Sequence, residues 1–167
     1  VCSSDLYRNV LVLDFKSLYP SIIRSFLVDP LGLVLGMQEP TQPEDNKTVP
    51  GFLGAQFSRA ISILPDLIAA LWLQRDVAKQ QQDSARSQAL KILMNSFYGV
   101  LGSTGCRFFD PRLASSITLR GQWLMQESGQ WIEQQGWQLI YGDTDSLFVW
   151  LGEGVTESQA IEIGQAL

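Results

Sequence analysis

Apolar residues along this chain fall into two kinds of pattern. Short continuous runs rich in Val, Leu, Ile, Phe and Trp occupy residues 9–15, 137–140 and 147–151. Runs of that length and composition predict strands, the first of buried type. Between the last two stands Tyr141-Gly142-Asp143-Thr144-Asp145-Ser146. Gly142-Asp143 carries turn chemistry, which predicts a tight hairpin with Asp143 and Asp145 at its tip.

Elsewhere the apolar positions recur every three or four residues. One helix is predicted from Pro20 through Leu27, with Pro20 as its first residue and Tyr19 pushed away from helical angles. A second runs from Pro65 to Gln82; its stripe of Ile68, Leu71, Trp72, Arg75 and Lys79 turns from apolar to cationic. After a polar turn at 82–84, a third helix puts Leu90, Met94, Phe97 and Leu101 on a core face and Lys91, Asn95 and Tyr98 on the face beside it. Asp110-Pro111 reads as the N-cap and first position of a fourth, which ends at a Gly136 C-cap. A last helix begins near Ser158. Residues 29–54, with Pro30, Pro40, Pro43, Pro50, several glycines and the polar stretch Glu44-Asp45-Asn46-Lys47, read as a connector with at most short strands around 33–35.

Composition narrows the chemistry. At 167 residues, 46% hydrophobic and 10% aromatic, the chain has material for one real core. No apolar run reads as long enough to span a membrane, and no signal-peptide pattern opens the sequence. Cys2 and Cys106 make neither a disulfide framework nor a zinc cluster. With no histidine, Ser-His-Asp and Cys-His mechanisms and most zinc chemistry are excluded. A net charge of −5 argues against a nucleic-acid partner until the charges are mapped. From Arg75 to Arg120 there are seven basic residues (Arg75, Lys79, Arg86, Lys91, Arg107, Arg112, Arg120) and three acidic ones, against five basic and fourteen acidic elsewhere. An electropositive middle between acidic ends suits phosphates held against metal-binding carboxylates, and it also fits ordinary solvated helices.

Two acids facing one way on a hairpin tip repel each other unless a cation lies between them, and hard oxygen ligands suit Mg²⁺. The same residues, taken alone, make an ordinary surface turn. Asp14 is a third acid in a similar setting, ending an apolar strand where packing gives a charge little reason to be. Backbone N–H groups from Ser17 to Tyr19 lie near a predicted helix start, a place suited to phosphate. Antiparallel packing of the second and third helices would bring Arg75, Lys79 and Lys91 together as a polyphosphate grip, with Tyr98 offering a flat surface to a base. Capping and core-edge packing account equally well for Asn95 or Tyr98 alone.

Three segments meet a known pattern. Asp14-Phe15-Lys16-Ser17-Leu18-Tyr19-Pro20-Ser21, Lys91-Ile92-Leu93-Met94-Asn95-Ser96-Phe97-Tyr98-Gly99 and Tyr141-Gly142-Asp143-Thr144-Asp145-Ser146 resemble, in order, the three polymerase motifs of the family B DNA polymerases. The run from Cys106 to Thr118 looks like the bacterial members of that family. The resemblance implies an α+β fold, with an antiparallel palm sheet, packed helices and an inserted antiparallel helical hairpin, the fingers. The palm would take residues 7–55 and 102–167, and the fingers 56–101. It implies two Mg²⁺ ions, replaceable by Mn²⁺, on Asp14 and Asp145 with Asp143 beside them. Arg75, Lys79 and Lys91 match residues that grip the triphosphate, Lys91 also as proton donor to pyrophosphate, and Asn95 matches a residue supporting that grip. Ser17 and Leu18 would hold phosphate oxygens through the backbone. Tyr19 matches the ring that underlies the sugar and excludes a 2′-hydroxyl; Tyr98 matches a residue lining the nascent base pair.

The implied partners are primer–template DNA, a dNTP and a sliding clamp bound through regions outside this stretch, in a bacterial, nucleoid-associated setting with no membrane. Nothing in the sequence resembles the family's exonuclease or thumb, so a palm-and-fingers piece, inactive by itself, is expected. Two rivals stand against a DNA polymerase core. A catalytically silent polymerase-like module is disfavoured by intact Asp14, Asp143, Asp145 and Lys91. A reverse transcriptase is disfavoured by the Lys91–Gly99 helix and the Ser-Leu-Tyr-Pro-Ser turn.

Overall fold

The computed structural model describes residues 6–38 and 46–166. Cys2, Pro40, Pro43, Glu44, Asp45 and Leu167 lie outside them. The described chain is a mixed helix and antiparallel-sheet fold, which is the α+β class expected. It divides into two compact units, residues up to Lys16 with those from Gln122 on, and Ser17–Gly121. These boundaries do not coincide with breaks at 55/56 and 101/102.

The first unit is built on three strands, β1 (Val10–Asp14), β4 (Gln138–Asp143) and β5 (Ser146–Trp150), in the order β1-β5-β4, all antiparallel. Because strand side chains alternate, one face of the sheet carries Leu11, Leu13, Leu139, Leu147 and Val149. Those residues pack with Ile132 and Met125 of α5 (Pro111–Gln134) and with Ala160 and Ile163 of α6 (Glu157–Ala166). Val149 is fully buried and Leu147 nearly so. The opposite face carries paired rows, Val12–Phe148–Tyr141 and then Asp14–Ser146–Asp143.

The second unit holds α1 (Leu18–Ser25), α2 (Pro30–Gln38), a small hairpin of β2 (Thr48–Pro50) and β3 (Gln56–Ser58), α3 (Ile63–Gln80), α4 (Ser84–Leu101) and the start of α5. Its core includes Ile22, Ile23, Phe57, Ile68, Met94 and Ile117, all at most 1% exposed. Ile68 and Met94 come from the apolar stripes predicted for the hairpin helices, and α3 and α4 pack together as expected. Asp83 caps α4 by accepting the Arg86 N–H at 2.9 Å.

Several expectations are corrected. Pro20 and Pro65 are third rather than first residues of their helices; the N–H that proline lacks is still one with no intrahelical partner. The connector expected after Asp29 contains α2 where short strands were expected around 33–35, and its one short strand among the described residues, β2, lies further on. Asp29-Pro30 starts it as Asp110-Pro111 starts α5, with the Asp29 carboxylate accepting the Gly32 N–H at 2.7 Å. The glycines that suggested a loop serve packing instead: a Cβ on Gly36 would lie 2.2 Å from the Gln56 carbonyl oxygen of β3. Residues Leu18–Gln38 are, by length and composition, apolar enough to cross a membrane, contrary to the sequence reading. They fold as two helices of 8 and 9 residues, broken at residues 26–29. Both helices are too short to span, and they supply core residues such as Ile22, Ile23 and Leu33.

Candidate active site

The carboxylate end of the three-stranded sheet is set by register. Asp14 ends β1 opposite Ser146, and Ser146 pairs on its other side with Asp143. Residues directly opposite in an antiparallel pair share a face, so Asp14, Ser146 and Asp143 form one row. A bulge between Leu139 and Tyr141 makes this possible. Leu139 pairs with Val149 on the core face; without the extra residue, alternation would turn Asp143 to that face too. The bulge moves Tyr141 and Asp143 to the other side, where Asp14 is.

The turn is not the one the sequence suggested. Gly142 lies within β4 opposite Leu147, and the chain reverses at Thr144–Asp145, with Thr144 in the left-handed region at φ 47°. Gly142 packs closely there: a Cβ would sit 3.3 Å from Leu147 Cδ2. The Asp145 carbonyl accepts the Phe15 N–H at 2.8 Å, which ties the turn to the residue after Asp14. The Asp145 N–H in turn donates to the Asp143 carbonyl.

All three acids are therefore brought to one end of one sheet, but their side chains are not gathered around a common point. Ser146 Oγ donates to Asp14 Oδ1 at 2.9 Å, and Thr144 Oγ1 donates to Asp143 Oδ1 at 3.0 Å. Among the described residues no three acidic or cysteine groups lie close enough to hold a metal ion. Two of the carboxylates are each turned to a neighbouring hydroxyl. The donor set, three hard carboxylates on a ladder-fixed backbone, still fits Mg²⁺. Ser146 was quoted in the motif but given no role, because its place between Asp14 and Asp143 depends on strand pairing.

In the second unit five of the predicted nucleotide-site residues lie around the start of α1. Ser17 precedes α1 in the left-handed region, φ 53° and ψ 64°, without capping the helix through its side chain. Its left-handed turn sets the Leu18 and Tyr19 N–H groups at the helix start, where amides have no intrahelical partner. Leu18 itself is buried. Arg75 Nη1 of α3 lies 3.5 Å from Ser17 Oγ, a long hydrogen bond, and Arg75 Nε is buried with no partner among the described residues. Tyr98 of α4 meets Tyr19 with the rings tilted and their centroids 4.6 Å apart. Lys79, Lys91 and Asn95 are exposed on α3 and α4.

Not every cation of the basic stretch is free for a ligand. Arg112 pairs with Asp110 at 2.7 Å. The Arg112 hydrogen bond holds the Asp110 carboxyl below its ordinary range, with burial opposing the shift. Arg120 stacks over Phe26 and donates to the Pro50 carbonyl at 3.1 Å. Asp29, which the sequence reading passed over, is 1% exposed and accepts two backbone N–H groups, Gly32 at the start of α2 and Leu64 at the start of α3.

Comparison with known proteins decides the family. The family described as DNA polymerase family B matches residues 3–167. The chain belongs to the family B DNA polymerases. It is 58% identical over 162 residues to DNA polymerase II of Escherichia coli (strain K12), covering 97% of this chain and 20% of that protein. It is 35% identical over 151 residues to the DNA polymerase alpha catalytic subunit of Drosophila melanogaster, covering 85% of this chain and 10% of the relative. Its fold matches the family B DNA polymerase from the hyperthermophilic archaeon Pyrobaculum calidifontis with a TM-score of 0.71 at 27% identity, over 96% of this chain and 22% of that one. This family B chain thus spans about a fifth of its bacterial relative.

Proposed function

We propose that this chain is the catalytic core of a DNA-templated DNA polymerase, which adds deoxynucleotides from dNTPs to a primer 3′-hydroxyl. The observation that carries the reading is the Asp14–Ser146–Asp143 row, with Asp145 on the adjoining turn. Residues 7–55 and 102–167 form the palm and 56–101 the fingers. Asp14 and Asp145 would hold two Mg²⁺, or Mn²⁺, with Asp143 beside them, and ions bound there would supply activation of the 3′-hydroxyl and neutralisation of charge at phosphorus.

The chain's own residues supply the rest. Arg75, Lys79 and Lys91 hold the triphosphate, Arg75 forking two oxygens, with Asn95 supporting the grip. Ser17 and the amides of Leu18 and Tyr19 take further phosphate oxygens. As the 3′-oxygen, its proton released to solvent, bonds to the α-phosphorus, the bond to the bridging oxygen breaks and Lys91 gives a proton to the departing pyrophosphate, regaining one from solvent. The Tyr19 ring lies under the sugar and excludes a 2′-hydroxyl, and Tyr98 borders the base pair. Primer–template DNA is the partner, with most duplex contacts and any sliding-clamp contact made by other parts of the enzyme. The likeness to the Escherichia coli protein supports a place in the bacterial cytoplasm, at the nucleoid. Residues 1–167 alone are expected to be inactive.

Primer extension by the full-length protein tests this. Extension is expected only with Mg²⁺ or Mn²⁺. Asp14→Ala and Asp145→Ala are each expected to lower it about a thousandfold or more, since ligand loss removes several kcal/mol of transition-state stabilisation. Circular dichroism should remain unchanged. Extension retained by both folded variants refutes the site; no extension by the wild type favours the silent module.

A further inference from the structure

Tyr19 does not stand alone at the start of α1. Its ring meets that of Tyr98 from α4 at 4.6 Å between centroids, with the planes tilted by 48°, and both residues are half-buried. From α5 a second wall approaches. A Cβ added to the buried Gly121 would lie 3.6 Å from Tyr19 Cε1 and 3.5 Å from Leu18 Cδ2 and Ile22 Cδ1. The α5 helix therefore runs beside α1 at this residue, with room left for one methyl. A planar side chain packed against another ring keeps few of its rotamers.

We infer that Tyr98 sets the position of the Tyr19 ring, so that discrimination between deoxyribonucleotides and ribonucleotides belongs to a packed pair of rings rather than to Tyr19 alone. Tyr98 is then a positioning residue that acts on the sugar through Tyr19, apart from any contact it makes with the base pair. The inference rests on the reading of Tyr19 as the ring beneath the sugar. The physical basis is steric: a contact rejects one extra hydroxyl only as sharply as its own position is fixed.

The test is single-nucleotide insertion by the full-length protein, with kcat/KM measured for a dNTP and the matching rNTP on a primed template. Tyr98→Ala and the space-filling Tyr98→Leu are expected to lower the dNTP/rNTP ratio roughly three- to tenfold, the worth of one aromatic pair. Tyr98→Phe is expected to keep the wild-type ratio, because the ring contact needs no hydroxyl. In a Tyr19→Ala background, Tyr98→Ala is expected to lower the ratio no further, since no ring remains to be positioned. Additive losses in that double variant overturn the inference and leave Tyr19 as the sugar gate. So does an unchanged ratio in both Tyr98→Ala and Tyr98→Leu while Tyr19→Ala collapses it. An unchanged ratio in Tyr19→Ala overturns both readings.

Discussion

Replacing Asp29 with alanine removes a side chain that starts two helices at once. The carboxylate is 1% exposed, and its two oxygens accept the Gly32 and Leu64 N–H groups, each at 2.7 Å. Those distances sit at the short end of the N–H···O range, as bonds to a charged acceptor do. At α3 no side-chain substitute is in place, since Ser62 makes no capping bond of its own. Each buried N–H left unpaired costs about 1–3 kcal/mol. Two such groups would cost about 2–6 kcal/mol together, and partial relaxation of both helix starts puts the sum in the lower half, about 3 kcal/mol. Asn keeps one acceptor but aims an amide N–H at the second backbone N–H and loses the charge that two helix N-termini favour, so about 2 kcal/mol is expected. Amide hydrogen exchange in the full-length protein reads this locally. Gly32 and Leu64 are expected to exchange about a hundredfold faster in Asp29→Ala, with Asp29→Asn in between. If both amides exchange within about twofold of wild type in Asp29→Ala, the double-cap reasoning is wrong.

Two further predictions concern α5 and the carboxylate row. The Asp110 carboxyl is held below its ordinary value of 3.8 chiefly by the Arg112 hydrogen bond, so its contribution is complete above that value and is lost as pH falls through the lowered one. Asp110→Ala is expected to cost about 1 kcal/mol at pH 7, a difference that shrinks as acid protonates the wild-type carboxyl. Thermal unfolding of both proteins across that range checks it, and a pH-independent difference counts against it. Ser146→Ala removes the hydroxyl that orients Asp14. A net loss of about 1 kcal/mol predicts extension slowed roughly fivefold, which Ser146→Thr should largely restore; a rate equal to wild type in the alanine variant denies Ser146 that role.

Local pattern alone determined much of this protein. The apolar runs of β1 and β5, the stripes of Ile68 and Leu71 and of Leu90 and Met94, and the Asp110-Pro111 start of α5 needed only alternation, periodicity and capping chemistry. The three motifs were legible for the same reason, since each is contiguous in the chain. Tertiary structure decided whatever depends on a partner distant in sequence. Gly36 argued for a loop until β3 lay against it, because a glycine's backbone cost is offset only by an approach that no neighbouring residue encodes. Gly142 passed for a turn residue until Leu147 was placed opposite it. The face on which Asp143 emerges hangs on one bulged residue, Ile140, and a single-residue shift of register reverses every side chain beyond it. Asp14 and Asp143 share a row because β5 pairs with both strands, and pairing between remote segments is a property of the assembled sheet.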